Sequence, residues 1–256
     1  MRSFYGFALV VTVLLIASLV GGWAQQQPPS QGQAAPARGP RIGTPGSPTA
    51  DGSRAVADGG IKIVGWEGRI DPNEEQAGMT IKDAMLAKEG DRLHVVTGPA
   101  VSYWKMGDKA SGEYTVKATF TEPKYMNLNT HAHPYGVFIA GNDVGTPAQT
   151  ELYCEAYGNG NFIVRGFGPA PFQVNTREPH AAVHKAPEQG KSVTQEVAMS
   201  VKGGKVECAI NGTVVASYDK AAVVTDGKLK STDGVFGLRF AHNTEVTITG
   251  FALTKN

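Results

Sequence analysis

Little in this chain offers a charged partner a grip or a nucleophile a setting. The formal net charge is +1, so the basic excess that dominates nucleic-acid affinity is missing. Anionic membrane surfaces lose the same attraction. No Gly-x-Ser-x-Gly elbow occurs, and no phosphate-cradling glycine loop precedes a helical pattern. Cysteine is nearly absent: only Cys154 and Cys208 are present. Long helical periodicity is missing too, with Ile81 to Lys88 open between a short helix and a strand.

What is present begins with a leader. Arg2 supplies a positive start, Phe4 to Val20 form an apolar run, and Gly22-Trp23-Ala24 supplies a small-x-Ala exit before Gln25. That order reads as a secretory signal peptide over 1–24, favoured over a spanning anchor of similar length. No Cys follows the run to take a bacterial-type lipid, so no stable membrane anchor is expected after cleavage. Losing Arg2 leaves the remaining basic residues equal in number to the 23 acidic ones. Residues 25–57 are rich in Gln, Pro, Ala and Gly, too poor in large apolar groups to offset ordering entropy, and read as a disordered linker. Residues 58–256 form one domain, and the expected location is secreted or periplasmic. In such a compartment an even pair of cysteines suggests one disulfide; two separate buried thiols are the alternative.

Period-two alternation dominates from Leu93 onward. Strand candidates are Leu93 to Thr97, Tyr114 to Thr121, Tyr135 to Ala140, Glu151 to Tyr157 and Phe162 to Phe167. They continue with Val193 to Val201, Val206 to Ile210, Val214 to Tyr218, Val235 to Ala241 and Val246 to Leu253. Gly158-Asn159-Gly160, Gly203-Gly204 and Asn211-Gly212 are hairpin signals between them. Many short strands with glycine turns predict an all-β sandwich or jelly roll of two antiparallel sheets. Alternation sends Leu152, Cys154 and Ala156 to the core, and Glu151, Tyr153, Glu155 and Tyr157 to an amphipathic outer face. Val206, Cys208 and Ile210 also point inward, so both cysteines are poor nucleophiles.

The closing segment Gly234-Val-Phe-Gly-Leu-Arg239-Phe-Ala-His242, followed by Val246 to Leu253, resembles the end of bacterial secreted concanavalin-like lectin/glucanase domains, including the 3-keto-disaccharide hydrolase family. Lys205 to Val215, with its Asn211-Gly212 turn, resembles the strand–turn–strand unit of laminin-G-like domains. His133 to Gly141 resembles their early inner strand. The resemblance spans roughly Gly107 to Asn256. It implies a concanavalin-like β-sandwich with a sugar-binding or sugar-cleaving heritage, and fold alone does not assign activity.

The chemistry leans toward binding. Laminarinase-like members carry Glu-x-Asp-x-x-Glu on one strand; here Glu89-Gly90-Asp91 lacks the second Glu and reads as a turn. Glu151 and Glu155 are about 13 Å apart along a strand, beyond the roughly 5 to 9.5 Å of a glycosidase pair, and read as a solvated face. His131 and His133 share a face if extended, and His180 and His184 are four apart. No metal, cofactor or catalytic residue is assigned, and loop hydrogen bonding is the reading for these histidines. The positive case is a ligand-binding surface of Tyr135, Tyr153, Tyr157, Arg165, Arg239 and His242, with Phe167 beside them. Aromatic faces there stack on sugar rings while charged groups meet hydroxyls. The expected function is an exported, non-catalytic carbohydrate-binding or interaction module for a glycan or small molecule. The alternative is a glycoside hydrolase or lyase of the 3-keto-disaccharide hydrolase kind, using Arg239, His242 and a strand-face carboxylate.

Overall fold

The computed structural model describes residues 52–256. The expected signal peptide over 1–24 and residues 25–51 of the expected linker lie outside the described residues. In chain order the first strands are β1 (Gly60–Ile61), β2 (Trp66–Ile70), β3 (Met85–Glu89), β4 (Arg92–Val96), β5 (Val101–Ala110), β6 (Tyr114–Glu122), β7 (Pro134–Asn142) and β8 (Thr150–Tyr157). They continue with β9 (Asn161–Phe167), β10 (Pro171–Gln173), β11 (Glu178–Pro179), β12 (Val193–Lys202), β13 (Lys205–Ile210), β14 (Thr213–Asp219), β15 (Gly234–Phe240) and β16 (Glu245–Lys255). Two short helices, α1 (Pro72–Gln76) and α2 (Lys220–Val223), sit in connections.

One sheet runs β1-β3-β4-β16-β6-β12-β13-β14, and the other β10-β9-β8-β7-β15-β5-β2 with β11 beside β9. The expectation of two purely antiparallel sheets needs one amendment, because β1 pairs with β3 in parallel. Their inner faces enclose the main core, built from side chains such as Leu86, Phe120, Ile139, Leu152, Met199 and Phe240. The architecture is a concanavalin-like β-sandwich.

Local chemistry accounts for the hairpins. Asn211 and Gly212 have φ of 50° and 79°, the left-handed pair a two-residue turn needs between right-twisted strands. Glu89 pairs with Arg92, so Gly90-Asp91 is a turn as expected. The ambiguous stretch from Ile81 splits into a 3-10 turn, Ile81–Asp83, and then β3. Thr80 and Asp83 cap that turn reciprocally, which halts strand pairing until Met85.

Cys154 and Cys208 form a disulfide with Cα atoms 6.0 Å apart. It bridges β8 of one sheet to β13 of the other, a pairing that inward parity permits and that the packing of the two sheets completes. The domain begins earlier than residue 58. The Arg54 backbone N–H and Nε both donate to Asn243 Oδ1, and Asn243 Nδ2 donates to the Gly52 carbonyl. Ser53 and Arg54 are buried, so the last residues of the expected linker belong to the folded body.

Candidate functional site

Strand register builds the site on the outer face of the second sheet. One row of Cα partners crosses Arg69 in β2, Ser102 in β5, Arg239 in β15, Gly136 in β7 and Glu155 in β8. A neighbouring row crosses Trp104, Gly237, Phe138, Tyr153 and Arg165. Gly136 has no room for a side chain, since a Cβ there would stand 1.9 Å from the Cys154 carbonyl oxygen. Its bare backbone leaves a gap in the row between Arg239 and Glu155.

This face is not the solvated surface that alternation suggests. Every residue of β8 is buried, including Glu151 at 0% and Glu155 at 3% exposure. Trp104, Ala132, Phe138, Tyr153, Tyr157 and Ile163 form a second apolar cluster here, with Phe167 packed against it. Residues from α1, the loop before β7 and the segment around Arg177 rise over the strands. They enclose a cleft of about 320 Å³ lined by Asp71, Glu74, His133, Tyr153, Tyr157 and Arg177 among others.

Of the expected binding residues, Tyr153, Tyr157, Arg165, Arg239 and His242 all line that cleft. Tyr135 does not. It pairs with Ala156, shares that residue's inward face, and packs its ring 5.7 Å from Phe120 in the core. Its hydroxyl is buried there without a partner, and burial drives its ionisation far upward. Stacking on open rings is also amended. The Arg239 guanidinium lies 4.9 Å from the Tyr153 ring centre, and that of Arg177 lies 4.2 Å from Tyr157. Each ring therefore already carries a cation against one face, worth about 0.5–2 kcal/mol.

Arg239 is the anchor of the site. At 4% exposure it makes a paired contact with Asp71, Nη1 to Oδ1 at 2.5 Å and Nη2 to Oδ2 at 2.8 Å. Burial works against its charge, but Asp71 outweighs it and holds the guanidinium well above its usual range. Glu151 accepts from Ser102 Oγ at 2.6 Å and from Gln149 Nε2 at 2.9 Å, and burial still raises its carboxyl. Asp71 escaped the sequence reading because it sits in the turn before α1, where an acidic residue is ordinary. The available signal was Arg239 itself: a lone arginine in an apolar strand requires a buried acidic partner.

Glu155 has fewer partners. Burial pushes its carboxyl up to about 7, with Arg239 pulling it down and Asp71 pushing it further up. Its Oε1 has no hydrogen-bond partner, nor do Arg165 Nε and Arg239 Nε. A stability consequence follows from linkage. Between 4.5, the ordinary value, and about 7 the native state binds more protons than the unfolded chain, so stability falls as pH rises. The loss from this group reaches at most about 3 kcal/mol. Glu155→Gln is expected to match wild type near pH 4.5 and to exceed it at pH 8 in urea denaturation. A variant that tracks wild type across the whole interval overturns this.

The histidines divide. His133 Nε2 lies 2.9 Å from His131 Nε2, and the His133 ring stacks on His242 at 4.3 Å on the cleft rim. His180 Nδ1 accepts from the Ala182 N–H, and His184 Nδ1 lies 2.8 Å from the Thr194 carbonyl, both away from the cleft. Among the described residues no group of three or more His, Cys, Asp or Glu side chains is arranged to hold a metal ion. Likewise, no described helix is long and apolar enough to cross a membrane.

Fold and site together define a concanavalin-like β-sandwich with a recessed polar cleft on one outer face. No protein-family model and no curated sequence matches the chain. Among solved structures, it resembles a protein of unknown function with a galectin-like fold from Bacillus subtilis. That match covers 74% of this chain and 89% of the other, with TM-score 0.52 and 11% identity. Carbohydrate binding module CBM66 from Bacillus subtilis matches over 77% of this chain and 99% of its own, with TM-score 0.47 and 7% identity. The laminarinase catalytic domain of Thermotoga maritima matches over 76% and 85%, with TM-score 0.43 and 16% identity. The likeness is one of fold alone.

Proposed function

We propose that the cleft binds a carbohydrate and that the protein is an exported, non-catalytic binding module. The observation that carries this reading is the set of unmet hydrogen bonds on its lining: Glu155 Oε1, Arg165 Nε and Arg239 Nε. Each buried polar atom left unpaired costs about 1–3 kcal/mol, and a hydroxyl-rich ligand supplies both donors and acceptors to relieve it. The apolar edges of Tyr153 and Tyr157 beside these groups suit the C–H faces of a sugar ring. A signal peptide ahead of the domain would deliver it to extracellular glycans.

A hydrolase or lyase reading draws on Glu155, a carboxyl held near 7 and suited to proton donation. Its second carboxylate would have to be Glu74 on the cleft rim, which holds Ser53 Oγ, because Asp71 is occupied by both arms of Arg239. Binding is therefore preferred.

Arg165→Ala tests the proposal. Arg165 is half-buried and forms no ion pair among the described residues, so its loss removes one unmet hydrogen bond and is not expected to destabilise the domain. Retention in affinity electrophoresis against a panel of neutral and acidic polysaccharides is expected to weaken at least tenfold. Retention unchanged by the substitution removes the cleft as the site. Release of reducing ends by the wild-type protein would favour the hydrolase.

A further inference from the structure

Charge on the cleft wall is unevenly matched. Asp71 is committed to Arg239, and Glu74 accepts from Ser53 Oγ at 2.7 Å with His242 Nδ1 3.9 Å away. Arg165 in β9 and Arg177 in the segment beyond it form no ion pair among the described residues. Arg177 donates only weakly to the Ala132 carbonyl, at 3.4 Å, while lying over Tyr157. Two guanidinium groups therefore face one cleft with no committed counter-charge. The remaining acid on that wall is Glu155, which is buried between Tyr153 and Tyr157 on the strand beside Arg165.

A neutral glycan would hydrogen-bond both guanidinium groups but leave their charge unbalanced. A carboxylate answers them with charge-assisted, forked hydrogen bonds, roughly twice as strong as neutral ones. We propose that the cleft is specific for acidic sugars, taking a uronate carboxylate on Arg165 and Arg177 and a neighbouring sugar oxygen on the Glu155 carboxyl. This rests on the reading of the cleft as a glycan site and names the class of glycan.

The acid–base logic supplies a second handle. Several groups face Glu155: Arg239 and Asp71 across the Gly136 gap, Arg165 from β9, Glu151 on its own strand, and Tyr153 and Tyr157 on either side. The histidines His131, His133 and His242 and the Arg177 and Glu74 side chains line the same cleft. Below about 7 Glu155 is neutral and donates its proton to a ligand oxygen, while a uronate remains anionic. Above it the ionised carboxylate repels the uronate. If only the neutral form binds, affinity falls about tenfold from pH 6 to pH 8, following the protonated fraction.

The test is calorimetric titration of the full exported chain with trimers of galacturonate, glucuronate and mannuronate, each beside its methyl ester. The ester keeps the sugar and removes the charge. At pH 6 one free acid is expected to bind at least tenfold tighter than its ester, and Arg165→Gln to abolish that difference. Glu155→Gln, which keeps a donor but has no ionisable proton, is expected to bind with an affinity that stays constant from pH 6 to pH 8. Esters that bind as tightly as acids, or binding of neutral oligosaccharides alone, overturn the acidic-sugar assignment and leave carbohydrate binding standing. A decline that persists in Glu155→Gln assigns the pH dependence to the histidines and overturns the role given to Glu155. Absence of binding to every sugar, acidic or neutral, brings down the proposed function and this inference together.

Discussion

Arg239→Met is expected to destabilise the domain by about 3–5 kcal/mol, because it strands Asp71 as an unpaired acid in a part-buried site. Methionine preserves much of the length and apolar bulk of the side chain, so the loss reports the ion pair and not a cavity. The ion pair also ties the turn before α1 to β15 across a separation of 168 residues. Its removal is expected to loosen the rim of the cleft and to abolish ligand binding. Asp71→Asn combined with Arg239→Met is expected to cost less than the sum of the single changes, as groups in direct contact do. Urea denaturation of the four proteins measures this. Additive losses, or an Arg239→Met variant as stable as wild type, would show that the pair does not hold the site together.

Cys154→Ala with Cys208→Ala is expected to cost roughly 4 kcal/mol in the chain-entropy treatment of a loop closed over 54 residues. Both sulfurs are buried in the main core, so the small alanines also leave a modest void. The bond joins the two sheets across the core, at a point where β8 and β13 have no direct chain connection. Guanidinium denaturation of the oxidised wild type against the double variant decides it. Equal midpoints would show that the bridge adds nothing beyond the packing around it.

The contrast between what alternation revealed and what it hid is instructive at particular residues. β8 read correctly as two faces, because Leu152, Cys154 and Ala156 alternate with Glu and Tyr. β7 did not, because Tyr135 to Ala140 is apolar or small on both sides and carries no parity signal. Its face became definable only through pairing of Tyr135 with Ala156, and that pairing sends the ring into the core. β5 escaped notice because its ladder is interrupted. Trp104 pairs with Gly237 while Lys109 pairs with Val235, so Lys105 to Asp108 fall out of register with β15 and break the alternation. β2 is too short and too mixed, at Trp66–Ile70, to give a period.

Burial of the outer face was invisible for a different reason. Alternation distinguishes the two sides of a strand but not what covers each side. Glu155 looked solvated because a carboxylate is ordinarily exposed. Its burial depends on chain far away in sequence, at α1, at His131 to His133 and at Arg177. Arg165, Arg239 and His242 were legible as polar groups near one strand face, and all three line the cleft. The acid that answers Arg239, Asp71, lay in a turn with no pattern of its own.

The packing of Gly52 to Arg54 against the β15–β16 connection has a practical consequence for handling the protein. Ser53 touches both Glu74 and His242, which lie on the cleft rim. A fluorescent partner or surface linkage joined directly ahead of residue 52 would stand at the cleft mouth and obstruct large polymers. The opposite terminus emerges elsewhere: Asn256 follows β16 in the other sheet and pairs with Thr115. Immobilisation through that end keeps the attachment on the other sheet, clear of the residues that line the cleft.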